Sequence, residues 1–129
     1  MQRISSGSSW EQTLGYSRAV VANGLVFISA TAATDAQGKV VGVGDPYRQA
    51  RAILEKLGGV LEQAGASYAD VVQTRLYLTD IGHWQEAGRA HGEVFGDIRP
   101  AMSLVHVKPF LDPEMLVEIE LIAVVPTQA

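Results

Sequence analysis

The stretch Leu116-Val117-Glu118-Ile119-Glu120-Leu121-Ile122-Ala123-Val124-Val125 alternates. Val117, Ile119, Leu121, Ala123 and Val125 fall on one side of an extended chain, Leu116, Glu118 and Glu120 on the other. Two carboxylates two residues apart on one strand face lie roughly 7 Å apart at ~3.4 Å rise per residue. A strand that is apolar on one face and acidic on the other is either half-exposed or lines a polar cleft. Just upstream, Arg99-Pro100-Ala101-Met102-Ser103-Leu104-Val105 opens a neighbouring strand with an arginine and a proline, so a cleft can be argued here.

Working outward, Tyr16 to Val21 reads as a strand and Leu25 to Ser29 as its return, joined by Asn23-Gly24, both of which tolerate positive φ. The second of these is apolar on both parities, as a strand covered on both faces would be. Asp45-Pro46 predicts a helix start, with Asp as N-cap and Pro at the first helical position. Ala50, Ile53, Leu54, Leu57, Val60, Leu61 and Ala64 then recur at helical spacing, and Gly65 ends the run. Gly58-Gly59 inside it costs ~1 kcal/mol per glycine, for which close packing against the sheet offers a reason. Val71 to Leu78 predicts another strand. Asp80 precedes a second helix from about His83 to Phe95, whose apolar side carries Trp84, Ala87, Ala90, His91, Val94 and Phe95. Ala101–Val107 and Met115–Val125 complete a sheet of about five strands.

The fold class is therefore α+β, in one domain spanning 1–129 with its core at about 14–125. Two helices cover only one sheet face. The apolar residues of the other face need a partner, and self-association in a closed ring is the natural one.

Composition narrows the function. At 129 residues, 47% hydrophobic and 19% charged, the chain is that of a folded domain. No cysteine is present, which excludes disulfides and thiol nucleophiles and fits the cytoplasm. No apolar run approaches the ~18 residues of a membrane span, and no apolar segment follows Met1–Gly7, so neither a membrane location nor a secretion signal is expected. Ten basic against fourteen acidic residues give a charge of −4 with no Lys/Arg cluster, which disfavours nucleic acid as a partner. The three histidines, His83, His91 and His106, lack metal-ligand spacing, and no phosphate-cradling glycine loop occurs. No metal or cofactor is expected.

Four segments in order carry a resemblance: Gly15-Tyr16-Ser17-Arg18-Ala19-Val20, Phe27-Ile28-Ser29-Ala30, Phe95-Gly96-Asp97-Ile98-Arg99-Pro100-Ala101 and Leu116-Val117-Glu118-Ile119-Glu120. Together they resemble the RidA family, also called YjgF or endoribonuclease L-PSP, collinearly from about Tyr16 to Val125. The resemblance implies a chorismate-mutase-like fold and a homotrimer with three small-molecule clefts between subunits. It also implies cofactor-independent deaminase (hydrolase) chemistry, the hydrolysis of reactive enamines and imines to keto compounds and ammonia. In that chemistry an arginine clamps the substrate carboxylate, backbone beside a serine helps hold it, a tyrosine ring covers it and a glutamate positions water.

Carried onto this chain, the tyrosine is Tyr16, the serine Ser29 and the glutamate Glu118, the catalytic candidate. The family's glycine after the serine is Ala30 here. Its clamping arginine falls on Met102, its frequent cysteine on Leu104 and an asparagine of the second helix on Gly88. Losing a buried guanidinium removes on the order of 3 kcal/mol, about a hundredfold in affinity. The chain thus resembles a branch lacking the carboxylate-binding arginine.

Each residue also has a plainer role open to it. Met102 is a cleft wall or sheet packing. Arg18, on the same parity as Tyr16, is a replacement cation for the ligand or an interface ion pair with Glu118 or Glu120. Glu120 pairs with Arg75 or Arg18. Tyr16 covers a ligand or packs at an interface, Ser29 contributes backbone geometry, and Arg99 is a rim or structural residue. The expected substrate-binding set is Tyr16, Arg18, Ser29, Ala30, Met102 and Leu104. Two classes of function stay open: an enamine/imine hydrolase and a non-catalytic metabolite-binding module. An endoribonuclease is disfavoured by the charge.

Overall fold

A computed structural model describes residues 1–127. In chain order the elements are β1 (Gln2–Ile4), α1 (Ser9–Leu14), β2 (Ala19–Ala22), β3 (Leu25–Ala32), α2 (Pro46–Gln63), β4 (Val71–Leu78), α3 (Trp84–Phe95), β5 (Ala101–His106) and β6 (Val117–Val124). Single 3-10 turns stand at Tyr68–Asp70 and Ile81–His83. The strands form one mixed sheet in the order β1-β2-β3-β6-β4-β5, parallel only between β4 and β5.

The α+β architecture expected from the sequence is present, with six strands and three α-helices among the described residues in place of about five and two. The additions lie before residue 15, where the chain reads as polar. Strand β1 has one buried residue, Ile4, and α1 has none, so neither carries a periodic apolar signal. Local chemistry makes α1 instead: the Ser8 hydroxyl accepts from the Trp10 amide, and Gly15 closes the helix at φ 76.

The middle of the chain follows its sequence cues closely. Asn23 and Gly24 both take positive φ in the β2–β3 turn. The Asp45 carboxylate caps α2 through the Arg48 amide with Pro46 in the first turn. On β6, Val117, Ile119, Leu121 and Ala123 are buried beneath the helices. They meet Ile53, Leu54, Leu57 and Leu61 of α2, with Leu76 and Leu78 of β4, in one core. Helix α3 joins through Ala87, Ala90, His91 and Phe95; Trp84, expected on its apolar side, stands at the first position of the helix and is 51% exposed.

Among the described residues neither α2 nor α3 packs on the opposite sheet face. Phe27 there is 42% exposed, and β5 at the sheet edge is largely exposed along its length. Gly58 is explained by a different neighbour from the one expected. A Cβ there would lie 2.4 Å from the Tyr68 hydroxyl, so it is the 3-10 turn after α2, not the sheet, that comes too close. Nothing lies within 4 Å of a Cβ at Gly59, and the structure does not explain that glycine. Among the described residues no helix is long and apolar enough to cross a membrane.

Candidate functional site

The site is built on a defect in the sheet. Strand β3 pairs with β6 from Leu25 to Ile28, then slips register before resuming at Thr31 opposite Ile119. Such a bulge re-aims the side chains and carbonyls around it. Arg18, just before β2, fastens it. Its Nη1 donates to Ser29 Oγ, Ala30 O and Thr31 Oγ1, each at 2.9 Å, and reaches Ser29 O at 3.4 Å. The guanidinium carbon lies 5.6 Å from the centre of the Tyr16 ring, and Nη2 is 3.5 Å from the Tyr16 hydroxyl. Within its own chain Arg18 thus braces the bulge, beside the two roles the sequence left open to it, a ligand contact or an ion pair across an interface.

Ser29 is fully occupied in this network. Its hydroxyl donates to the Arg18 carbonyl at 3.1 Å while accepting from Arg18 Nη1, and its amide donates to the same carbonyl. Among the described residues no histidine or carboxylate bonds the hydroxyl, so none is placed to activate it as a nucleophile.

Glu118 stands next to the bulge, opposite Ala32 of β3 and Tyr77 of β4. It is half-buried, and among the described residues its carboxylate has no hydrogen-bond partner. Burial pushes its pKa above the ordinary carboxylate value, and the positive charge of Arg18 pulls part of the way back. Glu120 differs. It accepts from Arg75 Nη1 at 2.8 Å and from the Tyr77 hydroxyl, so of the two partners open to it Arg75 is the one it takes.

A second cation, not singled out from the sequence, completes the cluster. Lys56 on α2 donates from Nζ to Ala32 O at 2.9 Å, Thr34 Oγ1 at 3.0 Å and Thr34 O at 3.3 Å. Burial and then the nearby Arg18 charge lower its pKa. The signal was there to find: Lys56 follows Ile53 by three and precedes Val60 by four, which sets a lysine on the edge of the core-facing stripe.

Met102 and Leu104 lie apart from this cluster. The parallel register pairs them with Thr74 and Leu76, which places them on the helix-bearing side of the sheet, 39% and 37% exposed. Glu118 belongs to the other side. A single chain brings together Tyr16, Arg18, Ser29, Ala30 and Glu118, and leaves Met102 and Leu104 outside. A Cβ at Gly88 would meet nothing within 4 Å. Arg99 closes α3 at φ 59, its amide donating to Phe95 O at 2.8 Å, the structural role open to it from the sequence. On the open face a hollow of about 440 Å³ adjoins the cluster, lined by Tyr16, Ser29, Phe27, Arg75 and Glu120 among others.

Residues 7–125 match the sequence model of the endoribonuclease L-PSP family. An uncharacterized protein of Streptomyces coelicolor is 33% identical over 93% of this chain and 89% of its own length. A RutC family protein of Synechocystis is 36% identical over 87% of both chains. Among solved structures, a member of the conserved YjgF family from Mycobacterium tuberculosis superposes with a TM-score of 0.86 at 43% identity, covering 96% of this chain and 98% of the other. The chain belongs to the endoribonuclease L-PSP family, known also as YjgF or RidA.

Proposed function

We propose that this protein binds a small organic molecule beside the β3 bulge and hydrolyses a reactive enamine or imine there. The observation that carries the reading is Glu118: half-buried, unpartnered among the described residues, with a pKa raised by burial, next to a braced bulge. A carboxylate with those properties suits transfer of a proton to and from water. In the proposed step Glu118 takes a proton from water as its oxygen adds to the imine carbon, and passes that proton on to the nitrogen. The C–N bond of the resulting carbinolamine then breaks, giving a carbonyl compound and ammonia. Only water is consumed, and no cofactor enters.

The same reading includes a homotrimer. Met102 and Leu104 share a cleft with Glu118 only if a second copy brings its β5 to the first copy's bulge, and the exposed apolar side chains on β5 and the open face support that arrangement. Mass in solution tests it: three times 13.8 kDa is expected, and a monomer would remove the inter-subunit cleft.

Met102 also supports a second reading, a non-catalytic metabolite-binding module, because a thioether there offers no charge to a substrate. The name of the matching family points to RNA cleavage, which the net charge of −4 does not favour. The experiment is ammonia and ketoacid release from imines generated in place, using wild type, Glu118→Gln and Met102→Arg. Turnover in wild type that is lost in Glu118→Gln supports the hydrolase. Thermal stabilisation by a ligand without turnover in any variant supports the binding module.

A further inference from the structure

We propose that Tyr77 is a positioning residue for Glu118: the Arg75–Glu120 pair draws its hydroxyl along the sheet to Glu120, which keeps the carboxylate directly opposite Tyr77 free of any donor and open to water. The inference rests on the reading of Glu118 as the group that takes a proton from water, and it names what holds Glu118 ready for that step.

Tyr77 stands directly across the β4–β6 pair from Glu118, and Arg75 across from Glu120. All four side chains leave the same face of the sheet. Directly opposite residues have Cβ atoms about 4.5–5.5 Å apart, and diagonal ones stay within reach of an aromatic side chain. The Tyr77 hydroxyl therefore has two carboxylates within range and a single proton to donate. It donates to the diagonal one, at Glu120 Oε1. That same oxygen accepts from Arg75 Nη1 at 2.8 Å. Two donors thus converge on the carboxylate that already carries a guanidinium, and the one opposite Tyr77 receives none. The bond to Glu120, with burial behind it, raises the pKa of the phenol, so the proton stays on Tyr77.

Among the described residues nothing takes the place of Tyr77 at Glu118. From the segment before β2 the Arg18 charge acts on Glu118, but the Nη1 bonds of Arg18 go to Ser29, Ala30 and Thr31. Strand β3 faces Glu118 with Ala32 and carries no titratable side chain. Lys56 of α2 is bonded to Ala32 and Thr34. Along β6 itself the neighbour is Glu120, and along β4 it is Arg75, already joined to each other. A hydroxyl bonded to the ionised Glu118 would lower its pKa and occupy an oxygen that water needs. With Tyr77 drawn to Glu120, the basicity that burial gives Glu118 is kept.

The test follows the carboxyl ¹³C signals of Glu118 and Glu120 through a pH titration of the full chain, with Glu118→Gln identifying the first of them. Glu120→Ala takes away the acceptor that Glu120→Gln would keep. Once freed, Tyr77 should donate to Glu118 and lower its pKa by about half a unit or more. Loss of the Glu120 charge acts in the same direction, so the double variant Glu120→Ala/Tyr77→Phe decides. There the pKa of Glu118 should climb back by about half a unit. A hydroxyl with a structural role alone would change the melting temperature but not this titration, and equal pKa values in Glu120→Ala and the double variant overturn the proposal. Should Glu120→Ala fail to fold, Tyr77→Phe decides by itself: it must move the Glu120 signal and leave that of Glu118 in place, and any other pattern overturns the proposal. The titration needs no turnover, which separates this proposal from the hydrolase reading. The expected pattern without imine hydrolysis refutes the hydrolase alone, and hydrolysis dependent on Glu118 without that pattern refutes the Tyr77 assignment alone.

Discussion

Arg75 Nη1 lies 2.8 Å from Glu120 Oε1 across the β4–β6 pair. Glu118, two residues earlier on the same strand face, has no such partner among the described residues. Two carboxylates that look alike in the sequence are thereby separated into a neutralised one and an available one, and burial raises the pKa of the available one.

That separation predicts unequal variants. Glu120→Gln should produce a small fall in the urea midpoint, since the Arg75 pair is largely solvent-screened, and should leave imine turnover within about twofold. Glu118→Gln should abolish turnover. A tenfold or greater loss in Glu120→Gln would transfer the chemistry to Glu120.

The raised pKa of Glu118 sets a pH dependence. A carboxylic acid whose folded pKa exceeds its ordinary 4.5 contributes stability that is fully present below 4.5 and lost as pH rises through the folded value. Glu118→Gln is therefore expected to be at least as stable as wild type at neutral pH, with that advantage shrinking towards pH 4. Turnover of wild type should rise with pH through an inflection above the ordinary carboxylate range. Arg18→Gln, by removing the opposing positive charge, should move the inflection higher. Denaturation and rate profiles across pH 4–8 check both.

His91 predicts the opposite trend in acid. Its Nε2 is 2.8 Å from the buried Thr74 hydroxyl, and burial lowers its pKa below 6.5. The unfolded chain then takes up the proton first, so stability is lost as pH falls from about 6.5 towards the folded value. His91→Gln should flatten that slope in urea midpoints measured between pH 5 and 8. Thr74→Val, which leaves the ring nitrogen unpartnered, should cost about 1–3 kcal/mol at neutral pH.

The adjacent glycines of α2 should respond with opposite signs. Gly58→Ala would drive a methyl to 2.4 Å from the Tyr68 hydroxyl, which is held by the Leu54 carbonyl at 2.6 Å, so a loss of about 1–3 kcal/mol is expected. Gly59→Ala meets open space on an exposed helix position and should stabilise by about 0.5–1 kcal/mol. Thermal melts of the two proteins suffice, and equal shifts would contradict the packing account.

Sheet and long helices were legible because their signals are local. The alternation around Glu118, the Asp45-Pro46 start and the Asn23-Gly24 turn each state one element without help from the rest of the chain. Strand β1 and helix α1 were not legible, since three residues with one apolar side chain and a six-residue helix with no buried residue leave no period to detect. The site was half legible. Glu118, Tyr16 and Ser29 were named as candidates through the family resemblance, but a register slip between Ile28 and Thr31 has no sequence mark, so the bonding of Arg18 to the bulge could not be foreseen. Gly58 shows the same limit, for its reason lies ten residues on at Tyr68 and arises only when the helix turns back.

The measurement that tests the central claim most directly is ammonia release from an imine generated in place, followed for wild type beside Glu118→Gln at matched folded concentration. Release in wild type that falls to the uncatalysed rate in Glu118→Gln is the predicted result. Equal release by the two proteins would contradict it and take Glu118 out of the chemistry.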